Sequence, residues 1–179
     1  MIQHVNVKVF AEPAEGVDHN AAMAVFQRWI RESACEELLI DVVDYHHVPA
    51  GPGTVLVGHE ANYSLDNGGN RLGLLYNRKA PIEASAEQNV AQALRAALGA
   101  CRRLEDAPEF AGRLRFGPAH EIEIIINDRG LAPNTDEAFV ALKPAIESAL
   151  VTVYGHACFA LERLGDARER LRIGVQVGK

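Results

Sequence analysis

The chain has 179 residues, of which 48% are hydrophobic and 23% are charged, and its formal net charge is −6. These values are typical of a globular domain, exclude a disordered chain, and argue against non-specific binding to nucleic acid or to an anionic membrane. No apolar run approaches the roughly 18 residues of a membrane span, and the N-terminus lacks a signal-peptide pattern, so we expect a cytoplasmic protein.

The first third of the chain alternates between strand and helix patterns. Apolar residues recur at every second position over 2–10, which predicts a half-buried strand. Asp18 has the position of an N-cap, and the apolar stripe that follows it continues to about Ala34, which predicts a helix. A second strand is predicted over about 38–48, because the Pro- and Gly-rich segment 49–53 cannot continue a strand.

The strongest local pattern is a β-hairpin. Residues 54–65 and 71–78 both have strand patterns, and they flank Asp66-Asn67-Gly68-Gly69-Asn70, whose composition is typical of a turn. Antiparallel pairing centred on this turn places the imidazole of His59 and the guanidinium of Arg78 on the apolar face of the hairpin. The predicted cross-strand pairs are Leu65 with Leu72, Tyr63 with Leu74, Ala61 with Tyr76 and His59 with Arg78.

Two further helices and three strands are predicted in the rest of the chain. Ser85 has the position of a helix cap, with Gln88 completing a capping box, so a long helix is expected over 85–106. A third helix is expected over 134–154, where Pro144 should kink or divide it. The strands are predicted at about 121–128, 158–164 and 171–177.

Seven strands and three helices, each helix with one apolar stripe, predict an α+β fold. The expected architecture is a two-layer sandwich: a mixed, mostly antiparallel sheet of about seven strands, with the three helices on one face. We expect a single domain over 1–179. The opposite face of the sheet should be polar, and it would meet either water or a partner. Its predicted members are His4, Asn6, Lys8, Glu60, Asn62, Ser64, Glu121, Glu123, Arg172 and Gln176.

The order strand–helix–strand–strand occurs twice, which favours an internal duplication. A shift of 116 residues places Val9 on Ile125 and brings the apolar stripes of the first and third helices into register. The two units would be 1–80 and 115–179, joined by the helix over 85–106. Because many α+β proteins alternate in a similar way, a chance similarity of pattern is the alternative explanation.

Neither the cysteines nor the arginines form a recognised motif. Cys35, Cys101 and Cys158 are far apart and odd in number, and no CxxC pair is present. We therefore expect reduced and mostly buried thiols. The 14 arginines outnumber the 4 lysines but alternate with acidic residues, as they do over 161–170, which is typical of a solvated surface.

A ligand pocket is one interpretation of the polar groups on the apolar face of the hairpin. His59 and Arg78 need hydrogen-bond partners or water there. In the functional interpretation, Arg78 binds an anionic ligand between the sheet and the helices, and His59, Tyr63 and Tyr76 line the pocket. In the alternative interpretation, both polar groups lie at the margin of the sheet and reach solvent.

A metal site is a second interpretation, centred on Asp44, His46 and His59. Side chains two apart on a strand share a face, and the turn over 49–53 would bring His59 close to Asp44. Two imidazoles and a carboxylate suit a divalent metal with an open position. The spacing matches no known ligand motif, so we favour strand-end histidines that form hydrogen bonds beside the turn, without a cofactor.

Three classes of function remain open. The preferred prediction is a non-catalytic accessory protein that binds a small molecule or a protein partner, because the sequence has no catalytic signature. The alternative is a small, hydrolase-like, metal-assisted enzyme with its site near Asp44, His46 and His59, where the metal would activate water. The third is assembly, because the first and last strands are candidates for edge pairing in a homodimer.

Overall fold

The computed structural model describes residues 2–12, 18–116, 121–156 and 158–178, except for the side chain of His19. The long helices in these ranges are α1 (His19–Glu32), α2 (Ala86–Glu105) and α3 (Asp136–Tyr154). Eight strands form one sheet: β1 (Val5–Phe10), β2 (Leu39–Tyr45), β3 (Gly53–Gly58), β4 (Ala61–Asp66), β5 (Gly73–Arg78), β6 (Glu121–Ile126), β7 (Phe159–Leu164) and β8 (Leu171–Val177).

The sheet has the order β2-β3-β4-β5-β1-β6-β8-β7, and all of its neighbouring strands are antiparallel. The predicted α+β sandwich is therefore confirmed. Two details of the prediction are corrected: the sheet has eight strands rather than about seven, and it contains no parallel pair among the strands that the structure describes.

The additional strand arises because residues 54–65 form two strands instead of one. The chain reverses direction after Gly58, so that β3 and β4 pair with each other. A Cβ atom at Gly58 would lie 2.5 Å from the carbonyl oxygen of Ala61, so this close approach of two backbone segments requires glycine. His59 and Glu60 form the turn and lie outside both strands.

One face of the sheet forms the hydrophobic core with the helices. Val7 of β1 and Ile124 of β6 pair at the centre of the sheet and are fully buried. Trp29 of α1 and Leu94 of α2 belong to the same cluster, and Ile146 joins it from α3. Burying a large apolar side chain contributes about 1.5–3 kcal/mol, so these contacts hold the helices against the sheet.

The helices begin where the sequence predicts. The side chain of Asp18 accepts a hydrogen bond from the backbone N–H of Asn20 at the start of α1. Ser85 and Gln88 form the reciprocal hydrogen bonds of a capping box at the start of α2. α3 continues through Pro144 over its whole length. Of the two expected effects of this proline, division of the helix is therefore wrong, and the kink stays a prediction.

The sheet grows outward from the β1–β6 pair in a similar way on both sides. β5 and then β4 follow β1, and β8 and then β7 follow β6. The proposed shift of 116 residues nevertheless fails at the strands, because Val9 belongs to the core whereas Ile125 lies on the opposite face. The duplication of 1–80 and 115–179 stays a prediction.

The free edges of the sheet are also different from those expected. β1 lies between β5 and β6, and β8 lies between β6 and β7, so neither terminal strand offers an unpaired edge. The edge strands are β2 and β7. The sequence-based argument for a homodimer through the first or last strand is therefore corrected, and the oligomeric state stays a prediction.

Candidate functional site

The predicted pair of His59 and Arg78 is not formed. β4 and β5 pair in the predicted orientation, but Tyr63 lies opposite Tyr76 and Ala61 lies opposite Arg78. This two-residue difference in register keeps the side chains of β4 on their predicted face and leaves no cross-strand partner for His59. The His59 side chain, 69% exposed in the β3–β4 turn, has its Nδ1 3.3 Å from a carboxylate oxygen of Glu60.

Arg78 lies opposite Ala61 and is not the cross-strand partner of His59. Its Nε donates a hydrogen bond of 2.8 Å to the carbonyl oxygen of Ala80, two residues further along the chain. One of the hydrogen-bond donors of the guanidinium is thus occupied by the backbone just after β5. The cross-strand pair on which the predicted ligand pocket rests is therefore not formed, and the ligand-binding role of these residues stays a prediction.

Tyr63 and Tyr76 do face the helices, and their hydroxyl groups converge on Glu37. Tyr63 donates to one carboxylate oxygen at 2.7 Å, and Tyr76 donates to the other at 3.0 Å. Burial raises the pKa of Tyr76 to about 12 and raises the pKa of Tyr63 further, so both hydroxyls keep their protons at neutral pH. The sequence suggested the two tyrosines but gave no indication of Glu37, which lies in the connection before β2.

The predicted metal ligands lie at opposite ends of the β2–β3 hairpin. Asp44 pairs with Thr54, whereas Gly58, which precedes His59, pairs with Leu39. Nδ1 of His46 lies 2.6 Å from the carboxylate of Asp44, so these two residues form a local pair without His59. Among the residues that the structure describes, no group of three or more His, Cys, Asp and Glu side chains is placed to hold a metal ion. The proposed convergence of the three ligands is therefore corrected.

A larger site lies on the sheet face that points away from the helices. It is a concave depression of about 760 Å³ above the middle strands, and we call it the basic basin. Its floor comes from β1, β6 and β8, and its rim comes from the β6–α3 connection and the β7–β8 turn. The basic side chains that line it are Lys8, Arg71, Arg129, Arg168, Arg170 and Arg172, and the acidic ones are Asp66, Glu123 and Glu169.

Ion pairs neutralise the charges on the floor of the basin. Nζ of Lys8 lies 2.5 Å from a carboxylate oxygen of Asp66 and also donates to the carbonyl oxygen of Gly68 at 3.1 Å. Arg172 and Glu123 form a two-point contact with distances of 2.5 and 3.0 Å. Such geometry compensates for the burial of Lys8, Asp66 and Glu123.

Arg71 forms a side wall that is held from two directions. Its guanidinium lies 3.7 Å from the centre of the Phe10 ring, which is a cation–π contact. It also makes a two-point contact with Glu121, with distances of 2.9 and 2.7 Å. These contacts fix the direction in which Arg71 borders the basin.

The rim arginines differ from those of the floor because they keep their charge uncompensated. Arg129, Arg168 and Arg170 are exposed, and none of them forms an ion pair with a carboxylate in the described part of the chain. Arg170 donates one hydrogen bond, at 3.2 Å, to the side chain of Asn127. The rim therefore presents three guanidinium groups without a carboxylate partner above a neutralised floor.

Both loops of the rim are anchored. The side chain of Asn134, which is 1% exposed, donates to the carbonyl oxygens of Leu164 and Asp166 at 2.9 Å each and holds the β7–β8 turn. Asp128, next to Arg129, accepts hydrogen bonds from the backbone N–H groups of Gln3 and His4. The backbone of the two loops that carry the rim arginines is thus held in place by the fold.

The sequence predicted part of this site. Alternation assigns Lys8, Glu123 and Arg172 to the polar face, and the structure places them there. The sequence does not predict the rim, because the positive and negative charges along residues 161–170 nearly cancel. Strand alternation relates only Arg170 to Arg172, because Arg168 lies in the turn before β8, where alternation does not apply.

Comparison with family models, with curated proteins and with solved structures finds no match to this chain. None of the helices in the described ranges has the length and apolar character needed to cross a membrane.

Proposed function

We propose that this protein is a binding protein for a small molecule with several negative charges, and that the ligand occupies the basic basin. The observation that carries the proposal is the group of three rim arginines without a carboxylate partner: Arg129, Arg168 and Arg170. Guanidinium groups bind phosphate and carboxylate through two parallel hydrogen bonds, and this geometry gives both affinity and specificity.

The balance of charge supports an anion as the ligand. Six basic and three acidic side chains line the basin, although the whole chain has a net charge of −6. The ion pairs of Lys8 and Arg172 on the floor leave the rim as the source of the uncompensated charge. A ligand with anionic groups would neutralise the rim without breaking the floor.

The size of the basin supports a small ligand over a nucleic acid. Its volume of about 760 Å³ falls within the range of small-molecule sites. A long polyanion would also have to approach a chain whose overall charge is negative, which disfavours non-specific binding. A non-catalytic role agrees with the accessory function expected from the sequence.

Isothermal titration calorimetry with pyrophosphate, tripolyphosphate and citrate tests the proposal. We expect at least one probe to bind and its affinity to fall as the salt concentration rises. The double variant Arg168→Ala/Arg170→Ala should bind about a hundredfold more weakly, because one charge-assisted contact contributes on the order of tenfold in affinity.

The matched control is Arg31→Ala/Arg102→Ala, which removes two exposed arginines from α1 and α2 and changes the net charge equally. This variant should bind the probe as the wild type does. The absence of binding by all three probes would contradict the proposal. An equal loss of affinity in the control would show that net charge, and not the basin, attracts the anion.

A further inference from the structure

A second cavity, of about 330 Å³, lies on the helix side of the sheet between residues 35–37 and α2. Its acidic side chains, Glu36 and Glu37, come from the connection that precedes β2. Its basic side chains, Arg95 and Arg103, come from α2. The two kinds of charge therefore reach the cavity from two different structural elements.

Glu37 is held so that it presents a fixed carboxylate. The hydroxyl groups of Tyr63 and Tyr76 each donate to a different carboxylate oxygen, at 2.7 and 3.0 Å. The side chain of Gln92 in turn donates to the hydroxyl of Tyr76 at 3.0 Å. Because a carboxylate oxygen can accept more than one hydrogen bond, both oxygens of Glu37 retain the capacity to accept from a ligand.

The wall formed by α2 leaves space beside its arginines. Gln92, Ala96, Gly99 and Arg103 follow at intervals of three or four residues and so share one face of the helix. A Cβ atom at Gly99 would lie 3.4 Å from Nη1 of Arg103, which is an ordinary contact. Glycine is unfavourable inside a helix, and nothing around it excludes alanine, so packing does not explain its presence.

The guanidinium groups of this wall keep their charge available. Arg95 and Arg103 are exposed, and neither forms an ion pair with a carboxylate among the residues that the structure describes. The acidic side of the cavity is thus ready to bind a cationic group, and the α2 side is ready to bind an anionic group.

We infer that this cavity binds a small zwitterion that carries a free ammonium group and a free carboxylate, which is the chemistry of an α-amino acid. The ammonium group donates to Glu37, and the carboxylate accepts from Arg95 and Arg103. The volume lies at the lower end of the range for small-molecule sites, which suits a ligand of amino-acid size. The inference uses different residues from the basic basin and does not depend on the function proposed for it.

Thermal-shift measurements with each of the twenty standard amino acids at millimolar concentration test the inference, followed by calorimetry on the best one. We expect at least one amino acid to raise the melting temperature by mass action. Its N-acetyl derivative and its methyl ester, which each lack one of the two charges, should bind at least tenfold more weakly. If either derivative binds as tightly as the parent amino acid, the inference of a zwitterionic ligand is wrong.

Variants locate the site. Glu37→Gln and Arg103→Gln should each weaken binding of that amino acid about tenfold, and Gly99→Leu, which fills the cavity, should abolish it. The matched controls are Glu83→Gln and Arg102→Gln, whose exposed side chains lie outside the cavity. Both control variants should bind the amino acid with wild-type affinity.

Two further results would overturn the inference: no thermal shift with any amino acid, or unchanged affinity in Glu37→Gln and Arg103→Gln. The basin variant Arg168→Ala/Arg170→Ala should bind the amino acid with wild-type affinity. Failure of one site is therefore distinguishable from failure of the other.

Discussion

Lys8 and Asp66 form an ion pair on the floor of the basic basin, although 58 residues separate them in the chain. Nζ lies 2.5 Å from the carboxylate oxygen, and the two side chains are 6% and 9% exposed. The pair joins β1 to the end of β4 across the intervening β5. Neither charge has free access to water, so each depends on the other for its stability in the fold.

Removing one member of this pair should destabilise the protein strongly. Lys8→Met and Asp66→Asn should each lower the free energy of unfolding by about 3–5 kcal/mol, because the remaining polar group loses its main partner in a buried position. Lys8→Met/Asp66→Asn should cost less than the sum of the two single losses. Urea denaturation measures all three values.

The exposed pair of Lys143 and Glu147 on α3 provides the control. Its side chains are 44% and 48% exposed, and the two charged groups are 3.8 Å apart. Lys143→Met should change the free energy of unfolding by no more than about 0.5 kcal/mol. Similar losses at Lys8 and Lys143 would contradict the structural role assigned to the buried pair.

Asp128, which anchors the β6–α3 connection, should make the free energy of unfolding depend on pH in the acidic range. Burial by itself raises the pKa of Asp128, but hydrogen bonds from the backbone and imidazole of His4 and from the backbone of Gln3 outweigh it, so the pKa is lowered overall. A carboxyl group whose pKa is lowered in the folded state stabilises the fold at any pH above its pKa in the unfolded state, which is about 4. This contribution is lost as the pH falls through the pKa of the folded state.

Comparison of the wild type with Asp128→Asn measures this contribution. At pH 7 the variant should be less stable, because its amide cannot replace the charge-assisted hydrogen bonds. The difference in the free energy of unfolding should shrink as the pH is lowered below about 4. A difference that stays constant across this acidic range would show that the carboxylate of Asp128 is not the responsible group.

The faces of the strands could be predicted from the sequence because alternation is a local property. Lys8, Glu123 and Arg172 occur at alternate positions between core residues, and a strand necessarily points them to one side. The pairing register of β4 and β5, in contrast, could not be predicted from the sequence. The residues between β4 and β5 contain a short 3₁₀ turn around Gly69, and a connection of this length fixes no single pairing.

The candidate sites depend on which strands become neighbours, and one sequence does not specify this. The basin requires β1, β6 and β8 to lie side by side, and the order in which they do so follows from packing over the whole domain. The hydrogen bonds of Glu37 to Tyr63 and Tyr76 similarly join residues 26 and 39 positions apart. Periodicity identifies the face of a residue, whereas its partners depend on topology.

The thiols should differ widely in reactivity. Cys158 is exposed, which corrects the expectation of mostly buried thiols, whereas Cys101 is buried and Cys35 is half-buried. Burial raises the pKa of Cys35 to about 11 and raises the pKa of Cys101 strongly, so both remain protonated and unreactive near neutral pH. Iodoacetamide at pH 8 should therefore modify Cys158 first, as peptide mass spectrometry would show.

In denaturant all three thiols should react at similar rates, which controls for intrinsic differences between the peptides. The variant Cys158→Ser should remove the fast phase in the native protein. Rapid native modification of Cys101 would contradict its placement in the core next to α2 residues such as Leu104.

The glycine in the wall of the smaller cavity should reduce stability in the absence of any ligand. Gly99→Ala should raise the free energy of unfolding by about 0.5–1 kcal/mol, because alanine loses less conformational entropy in a helix and its Cβ has room beside Arg103.

Gly155→Ala is the matched contrast. A Cβ there would also have no close neighbour, but φ is +77° at this helix C-cap, so the substitution should destabilise the protein. Urea denaturation of both variants measures the two opposite effects. A loss of stability in Gly99→Ala would mean that the glycine is required by packing, and it would remove the argument that the space beside it is kept open for a ligand.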